Sequence, residues 1–299
     1  MRSEALLEET ARGLRSRPRE LPSVWLYDAR GSELYEEVTR LPEYYLPRRE
    51  EQILHARSGE IAALIPARTL VELGAGAANN VRLLLDALTS LERFVPFDVS
   101  EEAVRANSRQ VAADYPNLSV EPIAADFERD LDLLPKGDRT LVAMLGSTIG
   151  NLSPERRSRL LSQVDDALLL GLDLVKDTAR LDAAYSDPRG VTEAFVRNAL
   201  TALNRELAAT FDQARFAYEA RWDGEEEWME IGLRALEAHL VAVPALGLEV
   251  AFVRDEFLRV EISAKFSRER VEREAREAGL AVEAWWTDGA GDFALALMT

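Results

Sequence analysis

The sequence predicts an α/β fold, in which a parallel sheet is covered by helices on both faces and a smaller α+β lobe is inserted late in the chain. Between residues 69 and 176, short apolar runs alternate with segments of helical periodicity, as repeated βα units require. After Lys176 this alternation stops, and a helix and a hairpin follow only near the end. We therefore predict a main domain over residues 1–178 and 266–299, with an inserted lobe over residues 179–265.

The first 65 residues have mostly helical periodicity, which Gly31 and three prolines (Pro22, Pro42 and Pro47) interrupt. Aromatic side chains are concentrated in the same stretch, at Trp25, Tyr27, Tyr35, Tyr44 and Tyr45. We predict that these rings, Trp25 in particular, pack a helical cap onto the main domain.

The stretch TLVELGAGAANNVRLLLDAL, which begins at Thr69, is typical of a buried strand, a glycine turn and a helix. Gly74 and Gly76 permit positive φ and a close approach of the backbone. Free N–H groups at the start of the helix could bind an anionic or carboxylate-bearing ligand. By themselves, two glycines fit a structural turn without a ligand equally well.

Four further strands are predicted, and polar residues follow three of them. Asp98 ends the second strand and Asp126-Phe127 ends the third, while Asn151 lies in the turn after the fourth. Since ligands of open α/β sheets bind beyond the carboxyl ends of the strands, these side chains are candidates for a binding site.

The inserted lobe begins with a helix and continues with a hairpin around Asp223-Gly224. In the strand EFLRVEISAKF, alternation places Glu261, Ser263 and Lys265 on one face. A final helix and a terminal hairpin around residues 289–291 complete the main domain.

Composition limits the classes of function. The chain has 299 residues, no cysteine, two histidines and a formal net charge of −17. This charge argues against nucleic acid and anionic membranes as partners, and the lack of cysteine excludes thiol chemistry. His55 and His239 lie in regular periodic segments and suggest neither a metal site nor a Ser-His triad. There is no apolar run of about 18 residues, so we expect a cytoplasmic location. We also expect a monomer without a metal ion.

Asp98 lies about 20 residues beyond the glycine turn, where an acid can accept the ribose hydroxyls of an adenosine ligand. Both nicotinamide cofactors and S-adenosylmethionine would fit. The missing third glycine and the acidic Glu72 disfavour a pyrophosphate, whereas Asp126 and Phe127 suit an adenine ring. This motif order, with the terminal hairpin, resembles class I methyltransferases, whose Rossmann-like sheet has one reversed strand. A nicotinamide-dependent oxidoreductase is the less favoured alternative.

A more specific resemblance extends over nearly the whole chain. Six segments in the same order resemble the histidine-specific Nα-methyltransferases of ergothioneine biosynthesis: WLYDARGSELYEEVTRLPEYYLPRREEQIL, VELGAG, PFDVS, GSTIGNLSPE, DLVKDTARL and AWWTDGAGDFALAL. The resemblance implies S-adenosylmethionine as methyl donor and L-histidine as substrate, with trimethylhistidine (hercynine) as product.

The resemblance also implies roles for individual residues. Tyr27 would line the pocket near the reacting amine, Asn151 and Tyr185 would hold the substrate carboxylate, and Glu261 with Ser263 would hold the imidazole. Tyr44 would also contact the substrate. The cofactor would be bound by Gly74, Gly76, Asn80, Asp98, Asp126 and Phe127.

The chain departs from the family pattern at two places. Asn80 stands where the family usually has a lysine for the cofactor carboxylate, within a segment that reads AANN from residue 77. Ile231 stands where the family often has methionine against the substrate ring. Two alternatives therefore stay open: an N-methyltransferase for another amino acid or small amine, and a cofactor-binding protein without turnover.

Overall fold

A computed structural model describes residues 3–76, 80–135, 137, 139–164 and 167–299 of the chain. The departure from the family pattern at residues 77–79 lies outside these residues. Within them the helices are α1 (Glu4–Arg15), α2 (Ala29–Thr39), α3 (Leu46–Leu64), α4 (Val81–Ala87), α5 (Glu101–Asp114), α6 (Pro154–Leu161), α7 (Thr178–Tyr185), α8 (Val191–Leu207) and α9 (Arg268–Glu277).

The strands of the described residues are, in chain order, β1 (Arg19–Glu20), β2 (Thr69–Leu73), β3 (Arg93–Asp98), β4 (Ser119–Val120), β5 (Ile123–Ala124), β6 (Thr140–Met144), β7 (Ala167–Asp173), β8 (Phe216–Asp223), β9 (Trp228–Ala235), β10 (His239–Val243), β11 (Leu248–Phe252), β12 (Phe257–Ala264), β13 (Val282–Thr287) and β14 (Phe293–Met298).

The chain divides into two compact units. Unit 1 contains Met1–Tyr44 and Asp177–Ser263, and unit 2 contains Tyr45–Lys176 and Ala264–Thr299. The sequence predicts the first 65 residues to be a helical cap on the main domain, but only α3 belongs to unit 2, and the residues up to Tyr44 are part of unit 1. The reason is that β1 pairs in parallel with β12, and α2 packs against α8.

Unit 2 contains the predicted α/β sheet. Its strand order is β13-β14-β7-β6-β2-β3-β4, with β5 also paired to β3. All neighbours from β7 to β4 are parallel, whereas β14 is antiparallel to both β7 and β13. Every residue of β2 and β6 is buried, as expected of strands covered on both faces. This Rossmann-like sheet with one reversed strand confirms the predicted fold class.

Local sequence explains most helix starts in unit 2, and one proline explains an interrupted strand. Ser100 and Ser153 cap α5 and α6 by accepting hydrogen bonds from backbone N–H groups, as the sequence predicts. The third predicted strand forms only the short pieces β4 and β5, because Pro122 between them cannot donate to a ladder. Asp126 and Phe127 therefore lie in a loop beyond the strand.

Unit 1 is built on a sheet of order β1-β12-β9-β8. The predicted hairpin around Asp223 is confirmed, with β8 and β9 antiparallel. A second antiparallel pair, β10 with β11, is an element that the sequence analysis missed. Trp25 is fully buried and its indole N–H donates to the Thr10 hydroxyl over 2.9 Å, so it belongs to the core of unit 1, although the sequence predicts that it packs the cap onto the main domain.

Two buried arginines of unit 2 share one carboxylate. Arg157 on α6 is fully buried and makes two 3.0 Å hydrogen bonds to Glu274 on α9. Arg270 also donates to Glu274, over 3.1 Å. Both guanidinium groups lie over the ring of Phe266, at 5.5 and 5.6 Å from its centroid. Glu274 is thus the counter-ion of the fully buried Arg157 and also binds Arg270.

We expect Glu274→Ala to lower the free energy of unfolding by about 3–5 kcal/mol, because it leaves the buried Arg157 unpaired. Glu277→Ala is the matched control, since Glu277 is an exposed residue of the same helix, and it should change stability by less than about 0.5 kcal/mol. Chemical denaturation measures both values. Equal effects of the two substitutions would contradict this role of Glu274.

Candidate functional site

The glycine turn after β2 begins with Gly74, whose conformation and surroundings both favour glycine. Gly74 has a positive φ of 75°, and its N–H donates to the Phe97 carbonyl over 2.8 Å. A Cβ at this position would lie 3.2 Å from the Thr148 side chain. Glycine is therefore needed at residue 74 for both its conformation and its small size.

The structure brings Gly76 and Asp98 together, as the sequence predicts. Asp98 is the last residue of β3, and its Oδ2 accepts from the Gly76 N–H over 2.9 Å. Its Oδ1 accepts from the Ser100 N–H over 2.8 Å. Burial raises the pKa of Asp98, and the backbone donors at Ser100 and Gly76 oppose that increase. The two backbone bonds fix the direction of this carboxylate at the end of the strand.

Asp126 and Phe127 lie in the loop that follows β5, the strand piece paired to β3. Asp126 accepts a 3.0 Å hydrogen bond from the Glu128 N–H, and its carboxylate is 3.5 Å from the Arg129 guanidinium. Its side chain is 31% exposed, so a ligand can reach it. Both residues therefore come just after the strand piece that pairs with the end of β3, where Asp98 lies.

A second acid, Glu50 on α3, is buried beside the turn and was not anticipated. Its Oε1 accepts from the Gly146 N–H over 2.7 Å, and its Oε2 accepts from the Asn80 amide over 2.9 Å. Asn80 also donates to the Pro47 carbonyl over 3.1 Å. The amide that we expect to meet the cofactor carboxylate is thus engaged with α3. Burial raises the pKa of Glu50 to about 7, although the hydrogen bonds from Asn80 and Gly146 lower it.

Glu72 on β2 is a third buried acid. It is 1% exposed, and neither carboxylate oxygen has a hydrogen-bond partner among the described residues. Burial raises its pKa well above the usual value, and the nearby Glu50 and Asp98 raise it further. An unpartnered buried carboxyl group is costly, so it indicates a site where a ligand supplies the missing donor.

A signal for Glu50 does exist in the sequence. Leu46, Glu50, Ile53 and Leu54 follow helical spacing and are all buried, so Glu50 lies within the apolar face of α3. Gly171 on β7 leaves the space for it, because a Cβ there would come within 2.3 Å of Glu50 Oε1. An acid inside an apolar helical stripe is thus the pattern that identifies this residue.

Asn151 also belongs to unit 2. It ends the short 3₁₀ turn Thr148–Asn151 that follows β6, the neighbour of β2 in the sheet. Its side chain is half-buried. The sequence therefore predicts its position beyond a strand end correctly.

In unit 1, β12 presents the two residues expected to bind a ring. The Tyr27 hydroxyl donates to the Glu261 carboxylate over 3.3 Å, and the Tyr185 hydroxyl donates to Ser263 Oγ over 2.7 Å. Ser263 and Tyr185 are each 5% exposed. The structure thus brings together four of the predicted substrate residues.

Aromatic rings surround these residues. Tyr44 meets Tyr185 edge to face at a centroid distance of 6.3 Å, and Tyr27 meets Phe195 at 5.6 Å. Tyr35 contacts Tyr27, Tyr44 and Phe195. Burial, and then the neighbouring phenols, raise the pKa of Tyr44 well above its usual value, so its hydroxyl stays neutral.

Tyr35, Phe195 and Tyr218 were missed as members of this cluster. Tyr218 on β8 donates to the backbone carbonyl of Tyr185 and so supports its position. Ile231 is 1% exposed on β9, the strand beside β12. Unit 1 therefore combines a polar pair on β12 with a set of rings.

The described residues show neither a metal site nor a membrane span. Among them, no group of three or more His, Asp or Glu side chains is placed to hold a metal ion. No helix among them is long and apolar enough to cross a membrane.

Comparison with known proteins identifies the family. Residues 6–299 match the family described as histidine-specific methyltransferase, SAM-dependent. The chain is 49% identical to the histidine N-alpha-methyltransferase of Mycolicibacterium smegmatis, over 99% of this chain and 95% of that protein. It is 47% identical to that of Mycobacterium tuberculosis, over 98% and 94%. It is 30% identical to ergothioneine biosynthesis protein 1 of Neurospora crassa, over 91% of this chain but 32% of that protein. The chain therefore belongs to the histidine-specific, S-adenosylmethionine-dependent methyltransferases.

Proposed function

We propose that this protein transfers methyl groups from S-adenosylmethionine to the α-amino nitrogen of L-histidine, three in succession, to give trimethylhistidine (hercynine) for ergothioneine biosynthesis. The family and the names of the relatives support this substrate and pathway. The observation that carries the proposal is the pair Glu261 and Ser263 on β12, each bound by a tyrosine hydroxyl.

The pair matches the chemistry of a neutral imidazole, which has one N–H donor and one nitrogen acceptor. Glu261 can accept from the N–H. Ser263 carries a hydroxyl, which can both donate and accept, and this suits the second ring nitrogen. Indole has no nitrogen acceptor and phenyl has no nitrogen at all, so neither ring uses both groups.

The residues of unit 2 fit S-adenosylmethionine. Gly74 provides a turn without a side chain, and Glu72 offers a buried carboxylate that lacks a donor. We propose that Asp98 accepts the ribose hydroxyls, and that Asp126 and Phe127 bind the adenine. The proposed cofactor set is completed by Gly76 and Asn80. When bound, the cofactor supplies a methyl group activated by a positive sulfonium.

The remaining task of the protein is positioning. In-line attack of the substrate's neutral amine on the methyl carbon would form a C–N bond as the C–S bond breaks, and the resulting ammonium would pass a proton to water before the next round. Correct alignment supplies much of the acceleration of such a reaction. We propose that Asn151 and Tyr185 hold the substrate carboxylate and that Tyr27 lies near the amine. Tyr44 and its neighbours stabilise the growing cation by about 0.5–2 kcal/mol per ring. Ile231 would contribute the apolar wall.

Mass spectrometry of the product is the direct test of the function. With S-adenosylmethionine and L-histidine, we expect a mass gain of three methyl groups, because trimethylation ends at a quaternary nitrogen without a lone pair. Tryptophan, tyrosine and other amino acids serve as competing substrates. Strong transfer to one of these and none to histidine would contradict the proposed specificity.

We expect Glu261→Ala to lower kcat/KM for histidine by about 10- to 100-fold, the loss typical of a hydrogen bond to a charged group. Calorimetric binding of S-adenosylmethionine should stay unchanged, because the residue is proposed to bind only the substrate. Glu249→Ala, at an exposed glutamate on β11, is the matched control. Equal loss of substrate and cofactor binding would show that Glu261 does not act on the substrate alone.

Asp98→Ala should have the opposite effect. We expect cofactor binding to weaken by about tenfold or more, because a buried acceptor for two hydroxyls is lost. Asp98→Asn keeps an acceptor for the Gly76 N–H. Weaker cofactor binding in this variant would therefore reflect the ribose contact and not a disturbed turn. Glu102→Ala, at an exposed residue of α5, is the control. Unchanged cofactor affinity in both Asp98 variants would rule out this role.

A further inference from the structure

Three carboxyl groups of unit 2 lie at the glycine turn: Glu50 binds Asn80, Glu72 lies on β2 just before the turn, and Asp98 binds the Gly76 N–H. Building on the proposed function, we propose that these groups make the cofactor site select the cationic methyl donor, S-adenosylmethionine, over its uncharged product, S-adenosylhomocysteine. Asn80, whose neutral amide binds Glu50, is the residue that we assign to this selectivity, because a cation in its place would face the acids.

The contacts of the three acids show how little positive charge faces them. Glu50 is bound by the Asn80 amide and the Gly146 N–H, and Asp98 by backbone N–H groups. Glu72 has no hydrogen-bond partner within the described part of the chain. All of these donors are neutral. The cluster would therefore gain from a positively charged ligand.

Two arginines on the surrounding helices bind other acids. Arg49, beside Glu50 on α3, lies 3.0 Å from the Asp292 carboxylate and 3.5 Å from that of Asp288. Arg82 on α4 lies 2.6 Å from the Asp114 carboxylate. The charged groups that raise the pKa of Glu72 are Glu50 and Asp98, which are both acids.

The two ligands differ in one charge. S-Adenosylmethionine carries a sulfonium, an ammonium and a carboxylate, and so has a net charge of +1, whereas S-adenosylhomocysteine lacks the sulfonium charge and is neutral overall. Inside a protein, charges attract each other more strongly than in water, and salt screens buried charges less. The buried acids therefore stabilise the donor more than the product, which favours exchange of the spent cofactor after each methyl transfer.

A lysine in place of Asn80 would change this balance. Its ammonium would pair with Glu50 and supply the cation that the acid cluster now lacks. A site neutralised in this way would distinguish the two ligands less well by charge. An Asn80→Lys substitution should thus lower the selectivity between the two ligands, in addition to any change in affinity.

The proposal includes a pH dependence with a definite sign. In the ligand-free protein burial raises the pKa of Glu50 to about 7. A nearby positive charge favours the ionised carboxylate, so binding of the donor lowers this pKa and releases protons near neutral pH. Affinity for the donor should therefore increase as the pH rises through about 7, and affinity for the neutral product should increase less.

Isothermal titration of both ligands, without histidine, tests the proposal. In the wild-type protein at pH 8 we expect S-adenosylmethionine to bind roughly tenfold more tightly than S-adenosylhomocysteine. In Asn80→Lys this ratio should fall toward one, and in Glu50→Gln it should also fall. Titrations at about pH 7, in buffers of different ionisation enthalpy, should show proton release in the wild-type protein and its loss in Glu50→Gln. Asn117→Lys makes the same charge change at an exposed loop residue and should keep the wild-type ratio.

The outcomes separate this inference from the proposed function. Equal affinity for the two ligands in the wild-type protein, or a ratio unchanged in both Asn80→Lys and Glu50→Gln, overturns the selectivity while leaving the methyltransferase activity in place. If neither ligand binds to the wild-type protein, the proposed function fails as well. A ratio that falls equally in Asn117→Lys would show that net charge, and not the position of residue 80, controls binding.

Discussion

Unit 2 depends on one fully buried carboxylate at the end of β7. Asp173 accepts a 2.9 Å hydrogen bond from the Tyr45 hydroxyl, lies 3.0 Å from the Lys265 ammonium and also binds Lys176. These three partners lie at or next to the residues where the chain enters or leaves unit 2, at Tyr45, Lys176 and Ala264. Removal of this carboxylate would take away a counter-ion that two largely buried ammonium groups share, which proteins tolerate poorly. A single charge therefore holds together the ends of the segments that form the sheet.

Lys265 shows why strand periodicity alone could not reveal this arrangement. Alternation places it on the same strand face as Glu261 and Ser263, but β12 ends at Ala264, and Lys265 is fully buried against Asp173. Periodicity describes which side of a strand a residue occupies and contains no information about where the pairing stops. The charged partner that draws Lys265 into unit 2 is far away in sequence, so only the folded chain identifies it.

The same distinction between local and distant information explains which parts of the fold were predictable. The βα units, the helix caps at Ser100 and Ser153, and the terminal hairpin follow from neighbouring residues, and the sequence predicts them correctly. The two-residue strand β1 has no periodic signal, because its existence depends on pairing with β12 more than 200 residues later. The sequence therefore does not reveal that the residues up to Tyr44 belong to unit 1.

In the candidate site, too, the residues that the sequence predicts from their neighbours differ from those that it does not. Gly74 and Asp98 could be found because a strand end followed by a glycine or an acid is a local pattern, whereas the roles of Glu261 and Ser263 came from the family resemblance. Glu50 escaped notice, since a glutamate in a charged helical segment is usually exposed.

The buried acids also explain how the ligand-free site remains stable. Three ionised carboxylates so close together would repel one another, and burial would add a large desolvation cost. Raised pKa values at Glu50 and Glu72 mean that both can hold protons near neutral pH, which removes much of this cost. A cation that enters the site then stabilises the ionised forms and displaces protons. The acids are therefore tolerated in the free protein, and a positive ligand increases their negative charge, so part of the attraction for the ligand costs little stability in its absence.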